Sequence, residues 1–435
     1  MLQRGLLFYG DPWRKIPGFK TGSVIEKPQK QMTCLSDLRR DHLEMEYFNA
    51  VLENVKIDVS AFSKNNVGEI HLFATSDSRK HFDGQLEDIL QALARYLREN
   101  SIPAGSVVFT RYFVSDYANH AEVLNAVESY SRAEFKGCAV SIVQQPPMGN
   151  RKIAVWAYVI NDRNREVYKA KPVSSSELIL RRGDYEHIWS TQLVTDNGST
   201  KSSDQTNAVF ARLNHNLKQK GYSLKDNCIR TWLFVRDIDL NYPGVVEARK
   251  NFFEKFNMTK DTHFIASTGI EGRHAHPGIN VLMDAYSVGG VSRDQIRFLE
   301  AREYLNPTYE YGVTFERGTS LDFGDRRHIY ISGTASIDHR GEVVHRKDVS
   351  RQIERTFTNI SALLADAGAT MEDVAQMIVY LRDPADTETV DAYLENNYRN
   401  IPKIVVLAPV CRPEWLVEIE CIAIKESVNA AYADF

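Results

Sequence analysis

Between His328 and Ile424 the apolar and polar positions change period in a fixed order. Alternation predicts a strand over His328–Ser332, and the run Ser332-Gly333-Thr334-Ala335-Ser336 predicts a tight turn. Spacing of three and four then predicts a helix over Val349–Asp366, followed by a strand over Val374–Leu381, a second helix and two more strands. Two weaker copies of this order lie upstream. Each copy has a Gln early in a long amphipathic helix, then a Gly, then an apolar strand closed by Asp. The spans Gln85 to Asp116, Gln205 to Asp237 and Gln352 to Asp383 are nearly equal in length. A fixed internal period means repeated structural units, here three in one chain.

The first unit is expected over residues 43–182. Its strands are predicted at Glu46–Leu52, Glu69–Ala74, Val107–Val114, Ala139–Val143 and Lys152–Val159, with the turn Pro146–Asn150 between the last two. Its long helix, Phe82–Glu99, carries Leu86, Ile89, Leu90, Leu93 and Tyr96 on one face, and a second helix is predicted near His120–Arg132. The second unit, 183–326, opens on strand His187–Val194 and the turn Asp196–Thr200. It continues through helix Thr206–Gln219 (closed by Gly221), strand Cys228–Val235, helix Val245–Phe256 and strands Phe264–Ser267 and Gly278–Ser287. Residues 291–326 read as a long ordered connector, and 327–435 form the third unit. Residues 1–42, rich in Lys, Arg, Pro and Gly without a sustained period, read as an arm. One-faced helices with Val-, Ile- and aromatic-rich strands predict an α/β (α+β) architecture, each unit a mixed sheet with its helices on one face. Three such sheets can close into a pseudo-threefold that buries their remaining faces.

Bulk properties narrow the function classes. A length of 435 residues suits about three units of ~100–150 residues, and 43% hydrophobic with 25% charged residues is ordinary for a globular chain. A formal charge of −4 supplies no basic field for nucleic acid. No apolar run approaches a membrane span or a signal peptide, so no membrane partner is expected. Five scattered cysteines without CxxC spacing fit free thiols in a reducing cytoplasm. GxGxxG, P-loop and HExxH motifs are missing, and His274 and His276 have no Asp or Cys at ligand spacing, so neither cofactor nor metal is expected.

Tyr330-Ile331-Ser332-Gly333-Thr334-Ala335-Ser336, the helix from Gln352, Gly368, Tyr380-Leu381-Arg382-Asp383 and Leu416-Val417-Glu418-Ile419-Glu420 resemble the YjgF/YER057c/UK114 (Rid) superfamily. That resemblance implies tandem Rid-like, chorismate-mutase-like units packed as an intramolecular pseudo-trimer with small-molecule sites in the clefts between units. A chain that contains its own trimer is expected to be monomeric. Within the superfamily the chain is most similar to the chorismatases. The similarity rests on Arg230-Thr231-Trp232, Ser267-Thr268-Gly269-Ile270, Tyr311-Gly312 with Phe315-Glu316-Arg317, the glycine turn, and Cys411-Arg412-Pro413-Glu414-Trp415 leading into Glu418. Imine-deaminating Rid enzymes carry an Arg directly after the Pro before the penultimate strand. Here Pro402 is followed by Lys403 and Ile404, which weighs against an enamine or imine deaminase. Asp338-His339-Arg340 also departs from the chorismatase turn, leaving the substrate open between chorismate and a related enol-ether cyclohexadiene acid.

Glu418 and Glu420 alternate with apolar neighbours and share one side of a strand. By themselves they read as the solvent side of a sheet. The resemblance makes Glu418 a general acid that protonates the enolpyruvyl methylene, after which water captures the oxocarbenium ion and pyruvate leaves. Cys411 is the second catalytic candidate, although no neighbouring His activates it and packing or shaping of the substrate is the expected role. A substrate with two carboxylates calls for two guanidinium clamps, with Arg230, Arg317 and Arg382 as candidates. Thr268, Gly269, Ser332, Gly333 and Thr334 are candidates to offer hydroxyl and backbone N–H groups, and Tyr311 to wall a ring. The expected partner is a small carboxylate, held in a cleft between units two and three. A catalytically silent carboxylate-binding protein is the reading outside enzymes.

Overall fold

Three six-stranded sheets with one shared strand order account for the repeat read from the sequence. The structure, a computed structural model, describes residues 42–435 apart from 78, 128–132, 150, 165–167, 171–175 and 196–197. The expected arm, Asn150, Asp196, Asn197 and the end of the helix placed at His120–Arg132 lie outside the described residues. The first sheet contains β1 (His42–Leu52), β2 (Val55–Lys64), β3 (Val67–Ser76), β4 (Val107–Val114), β5 (Ala139–Gln144) and β6 (Ile153–Asp162). The second contains β7 (Tyr168–Ala170), β8 (Glu177–Arg182), β9 (Tyr185–Leu193), β10 (Cys228–Val235), β11 (Ala266–Glu271) and β12 (Val281–Gly289). The third contains β13 (Ile296–Phe298), β14 (Gly318–Asp322), β15 (Arg326–Ala335), β16 (Val374–Leu381), β17 (Lys403–Leu407) and β18 (Val417–Glu426). Their orders, β1-β2-β3-β6-β4-β5, β7-β8-β9-β12-β10-β11 and β13-β14-β15-β18-β16-β17, superimpose element for element. In each sheet the last two strands in the order pair parallel and the others antiparallel.

By strand pairing the units divide between β6 and β7 and between β12 and β13, earlier than residues 182 and 326. The supposed connector 291–326 supplies two strands of the third sheet, and 168–182 supplies two of the second. These edge strands are short, so they carry too little alternation to be read locally. Strand β2 is a further addition to the expected elements: Val55, Ile57 and Val59 alternate with Lys56 and Asp58 between turns at Glu53 and at Asn65-Asn66 that adopt positive φ.

The long helices are α1 (Phe82–Glu99) and α2 (Tyr117–Val127) in the first unit. The second holds α3 (Ser202–Lys218), α4 (Leu224–Asn227) and α5 (Ile238–Lys255), and the third α6 (Val349–Asp366) and α7 (Thr387–Asn397). The apolar stripe of α1 packs on β2, β3 and β6, and Val209, Phe210, Leu213 and Leu217 of α3 pack with Phe252 and Phe253 of α5. The opposite sheet faces meet at the centre, where Phe109, Trp156, Trp189, Trp232, Tyr286 and Tyr330 share one cluster. The ring closes as β5 meets β9, β11 meets β15, and β16 meets β2 and β3. Near the axis Glu69 accepts hydrogen bonds from Arg326 Nη1 at 2.8 Å and from the Tyr158 hydroxyl, and lies 2.9 Å from His328 Nε2.

The repeated glutamine has a structural cause. Gln85, Gln205 and Gln352 are each the fourth residue of their helix. Their Oε1 atoms accept from Lys152 N (3.1 Å), from Asn280 N and Val281 N (2.7 and 2.9 Å), and from Leu416 N (2.8 Å). Their Nε2 atoms donate to nearby carbonyls, for Gln352 those of His345 and Glu414. One amide thus ties each long helix to the start of the last strand of its unit. Replacing Gln352 with Leu should cost about 2–4 kcal/mol, because it orphans buried backbone groups. Gln376, whose two amide atoms are buried without partners among the described residues, should tolerate Leu at no cost or with a gain. Urea unfolding midpoints of the two variants test both expectations, and equal midpoints would refute the contrast.

Candidate active site

The pleat of β18 sends Glu418 and Glu420 to the same face, toward the cleft between the second and third sheets. The two carboxylates meet different surroundings there. Glu420, 2% exposed, is fully engaged: Oε2 accepts from Arg230 Nη2 at 2.8 Å and Thr268 Oγ1 at 2.5 Å, and Oε1 from Trp232 Nε1 at 2.7 Å. Arg230 Nη1 also donates to Ser332 Oγ at 3.1 Å. Glu418, 5% exposed, accepts no hydrogen bond from any described residue and faces a cavity of about 580 Å³. Burial, and then the nearby Glu420 charge, push its carboxyl up to about 8, while Arg230 and Arg317 pull the other way. Glu418 therefore holds its proton at neutral pH.

Backbone shape makes room for it. A Cβ on Gly333 would lie 2.2 Å from Glu418 Oε1, and one on Gly269 would lie 2.8 Å from the Tyr242 ring. The tight turn expected at Ser332–Ser336 is instead the bulged end of β15, and Gly269 lies within β11; a side chain at either glycine would displace Glu418 or Tyr242.

Of the residues proposed from sequence, Glu418, Cys411, Gly269, Tyr311, Arg317 and Gly333 line the cavity. Arg230, Thr268 and Ser332 lie behind its wall in the polar seam around Glu420, so they position a carboxylate of the protein itself. Thr334 Oγ1 donates to Ser332 O at 2.8 Å within the bulge of β15, and Arg382 reaches out to Asp239 at 2.8 and 3.0 Å. Neither is part of the lining. Burial and then Glu418 push the Cys411 thiol up to about 12, which removes a nucleophilic role and leaves it as wall beside Tyr242. Arg317 donates to Asn306 O at 3.0 and 3.3 Å and stacks over Tyr311 and Phe315.

Lining residues without a role assigned from sequence include Tyr242, Arg249, Arg412 and Trp415. Arg412 sits between the Tyr311 and Trp415 rings, 4.9 Å from each centroid. Tyr242 and Arg249 lie on α5, which begins at Ile238, two turns ahead of the expected Val245, and accommodates Pro243 in its interior. With that start, Tyr242, Val246 and Arg249 fall on one helical face, a signal the shorter helix concealed.

Strand register allows the three clefts to be compared. Arg111, Trp232 and Ile378 occupy one position, opposite Trp156, Asp284 and Glu420. In the cleft between the first and second sheets Arg111 Nη2 bonds Asp284 Oδ2 at 2.9 Å, and Ser141 joins them. That cleft has Leu282 where the second has Glu418, and Gln192 at the bulge position of Gly333, its side chain donating to Ile142 O at 2.7 Å. The cleft between the third and first sheets offers Gln376, Ile378, Ile404 and Trp156 at these positions. Among the described residues, only the cleft between the second and third sheets carries the paired carboxylates.

His274 and His276 do not converge on a metal; their Nδ1 atoms accept from the backbone N–H groups of His276 and Gly278. No helix among the described residues is long and apolar enough to cross a membrane.

The fold and cleft define a pseudo-trimeric α+β protein with a small-molecule cavity between two of its units. The profile of the family described as Endoribonuclease L-PSP matches residues 323–425. A RutC family protein of Pyrococcus abyssi is 34% identical over 101 residues, 22% of this chain and 79% of the relative. The 3-aminoacrylate deaminase RutC of Acinetobacter baylyi is 30% identical over 97 residues, 22% and 77% of the two chains. The chain belongs to this YjgF/Rid family. The crystal structure of a chorismatase shares its fold over a longer stretch, with a TM-score of 0.56 and 18% identity over 73% of this chain and 93% of that one.

A stability measurement tests the protonation of Glu418. Its folded pKa, about 8, lies above its ordinary 4.5, so the folded state holds a proton that the unfolded state releases over that interval. The resulting contribution to stability is complete below pH 4.5 and is lost as pH rises through 8. Relative to the parent, Glu418→Gln should therefore gain stability from pH 5 to pH 8 in urea unfolding. A pH-independent difference would place the Glu418 pKa in the ordinary range.

Proposed function

We propose that the chain is a chorismatase-like hydrolase that releases pyruvate from chorismate or a related enol-ether cyclohexadiene carboxylate, with Glu418 as general acid. The observation that carries this reading is a buried carboxyl with a raised pKa and no hydrogen bond from any described residue, facing a cavity lined by guanidinium groups. An acid poised near neutral pH suits protonation of an enol-ether carbon.

In this reading Glu418 gives its proton to the terminal methylene of the enolpyruvyl group. The π electrons form the new C–H bond and leave an oxocarbenium ion. Arg317, whose charge already acts on Glu418, holds the adjacent carboxylate. Water adds to the cationic carbon, its proton returns to the Glu418 carboxylate, and the hemiketal collapses by breaking the ether C–O bond. Pyruvate and a ring alcohol result. The fold shared with a chorismatase supports this assignment.

The deaminase reading draws on the RutC relatives, but the position after Pro402 holds Lys403 in place of arginine, and its ammonium is already engaged. Lys403 Nζ caps the Tyr398, Arg399 and Ile401 carbonyls at 3.0, 3.2 and 3.3 Å, and Ile404 is buried.

The test is pyruvate release from chorismate by the purified chain in a coupled dehydrogenase assay. Parent protein should turn over, with kcat falling as pH rises through about 8. Glu418→Gln should lose about 10²–10⁴-fold in kcat and keep its ligand affinity. Absence of release by the parent, with thermal stabilisation by chorismate, would replace the hydrolase with a binding protein. Joint loss of binding and turnover in the variant would remove the general-acid role.

A further inference from the structure

Four arginines, Arg111, Arg230, Arg249 and Arg326, are at most 1% exposed. Three are neutralised inside the protein: Arg111 by Asp284, Arg230 by Glu420, and Arg326 by Glu69 and Asp325. Arg249 is the exception. Its guanidinium meets no carboxylate among the described residues; Nε donates to Thr314 Oγ1 at 3.3 Å, Cζ lies 5.8 Å from the Phe315 ring, and buried Nη2 has no partner. A buried cation left without a counter-charge is costly, and no carboxylate among the described residues offsets this one.

The same side chain lines the 580 Å³ cavity that Glu418 faces. It reaches the cavity from α5 of the second unit, on the helical face shared with Tyr242 and Val246, while Thr314 and Phe315 approach from the third unit. Arg317 is the other buried guanidinium of the lining, and its donors go to the Asn306 carbonyl without any carboxylate. Of the two, Arg317 acts on the Glu418 carboxyl, while Arg249 is held from α5 beside Thr314 and Phe315.

We propose that Arg249 is a second anion subsite of this cavity, which binds the substrate carboxylate remote from Glu418 and makes the cavity selective for dicarboxylates over monocarboxylates. This rests on the hydrolase reading for its role in turnover, but the selectivity itself does not. An incoming carboxylate supplies the missing counter-charge at Arg249, so affinity for the second anion is provided by relief of an existing cost. A planar guanidinium also fixes the orientation of the ring that bears that carboxylate.

Calorimetric titration of the full chain with isophthalate and with benzoate, two inert probes, separates the possibilities. The parent should bind isophthalate about tenfold or more tightly than benzoate. Arg249→Gln should abolish that preference and leave benzoate binding within about twofold, with Arg249→Lys retaining part of it. With chorismate, Arg249→Gln should raise KM about tenfold or more and change kcat little, the split expected of a positioning residue. Arg249→Met keeps the stem and removes the unpaired charge, so without ligand it should melt at or above the parent temperature.

A parent that does not discriminate the two probes, an Arg249→Gln protein that still prefers the dicarboxylate, or a markedly lower melting temperature for Arg249→Met would each overturn the subsite. Discrimination without pyruvate release would retain the subsite and dismiss the hydrolase. Pyruvate release unaffected by Arg249→Gln would do the reverse.

Discussion

The ion pair between Arg230 and Glu420 is the joint on which the candidate site depends. It is buried at 2% exposure on both sides, and its atoms lie 2.8 Å apart. Such a pair is tolerable only when its remaining hydrogen-bonding capacity is used, and Trp232, Thr268 and Ser332 use it. Because β10 supplies the cation and β18 the anion, the bond also fixes how the second sheet meets the third. Its effect extends one pleat step along β18. Burial first, and then the Glu420 carboxylate two residues along, raise the pKa of the neighbouring Glu418.

The other clefts show what remains when parts of this arrangement are exchanged. The first keeps an Arg–carboxylate–hydroxyl set in Arg111, Asp284 and Ser141, yet Leu282 and Gln192 take the places of Glu418 and Gly333. It works as a polar joint without an acid. The third has neither charge at these positions. Three copies of one topology therefore line their clefts differently, and among the described residues only one cleft carries the paired carboxylates.

Much of this organisation was legible in the sequence. Helix and strand periods gave the repeat, α6 and β16 have the expected bounds, and the recurrent Gln and terminal Asp marked equivalent places. What stayed hidden shares a cause: the deciding partner lies far along the chain or in another unit. Whether a cleft arginine is free or spent cannot be read locally when the partner of Arg230 is 190 residues away and that of Arg382 is 143 residues back. The short edge strands of the second and third sheets were hidden likewise, since their pairing rather than their own pattern makes them strands. Pro243 obscured the first turns of α5, and with them the face that bears Tyr242 and Arg249.

The cavity walls come from segments separated by well over a hundred residues, yet they belong to one covalent chain. In a protein assembled from separate identical subunits, a cleft of this kind exists only while the subunits are together, so it fades on dilution, and any substitution appears in every copy at once. Here closure of the cleft is a folding event with no concentration term. Each wall is also encoded once. Gln192 could arise in one cleft while Gly333 persisted in the next, a division of labour that a symmetric assembly has no means of writing into its gene.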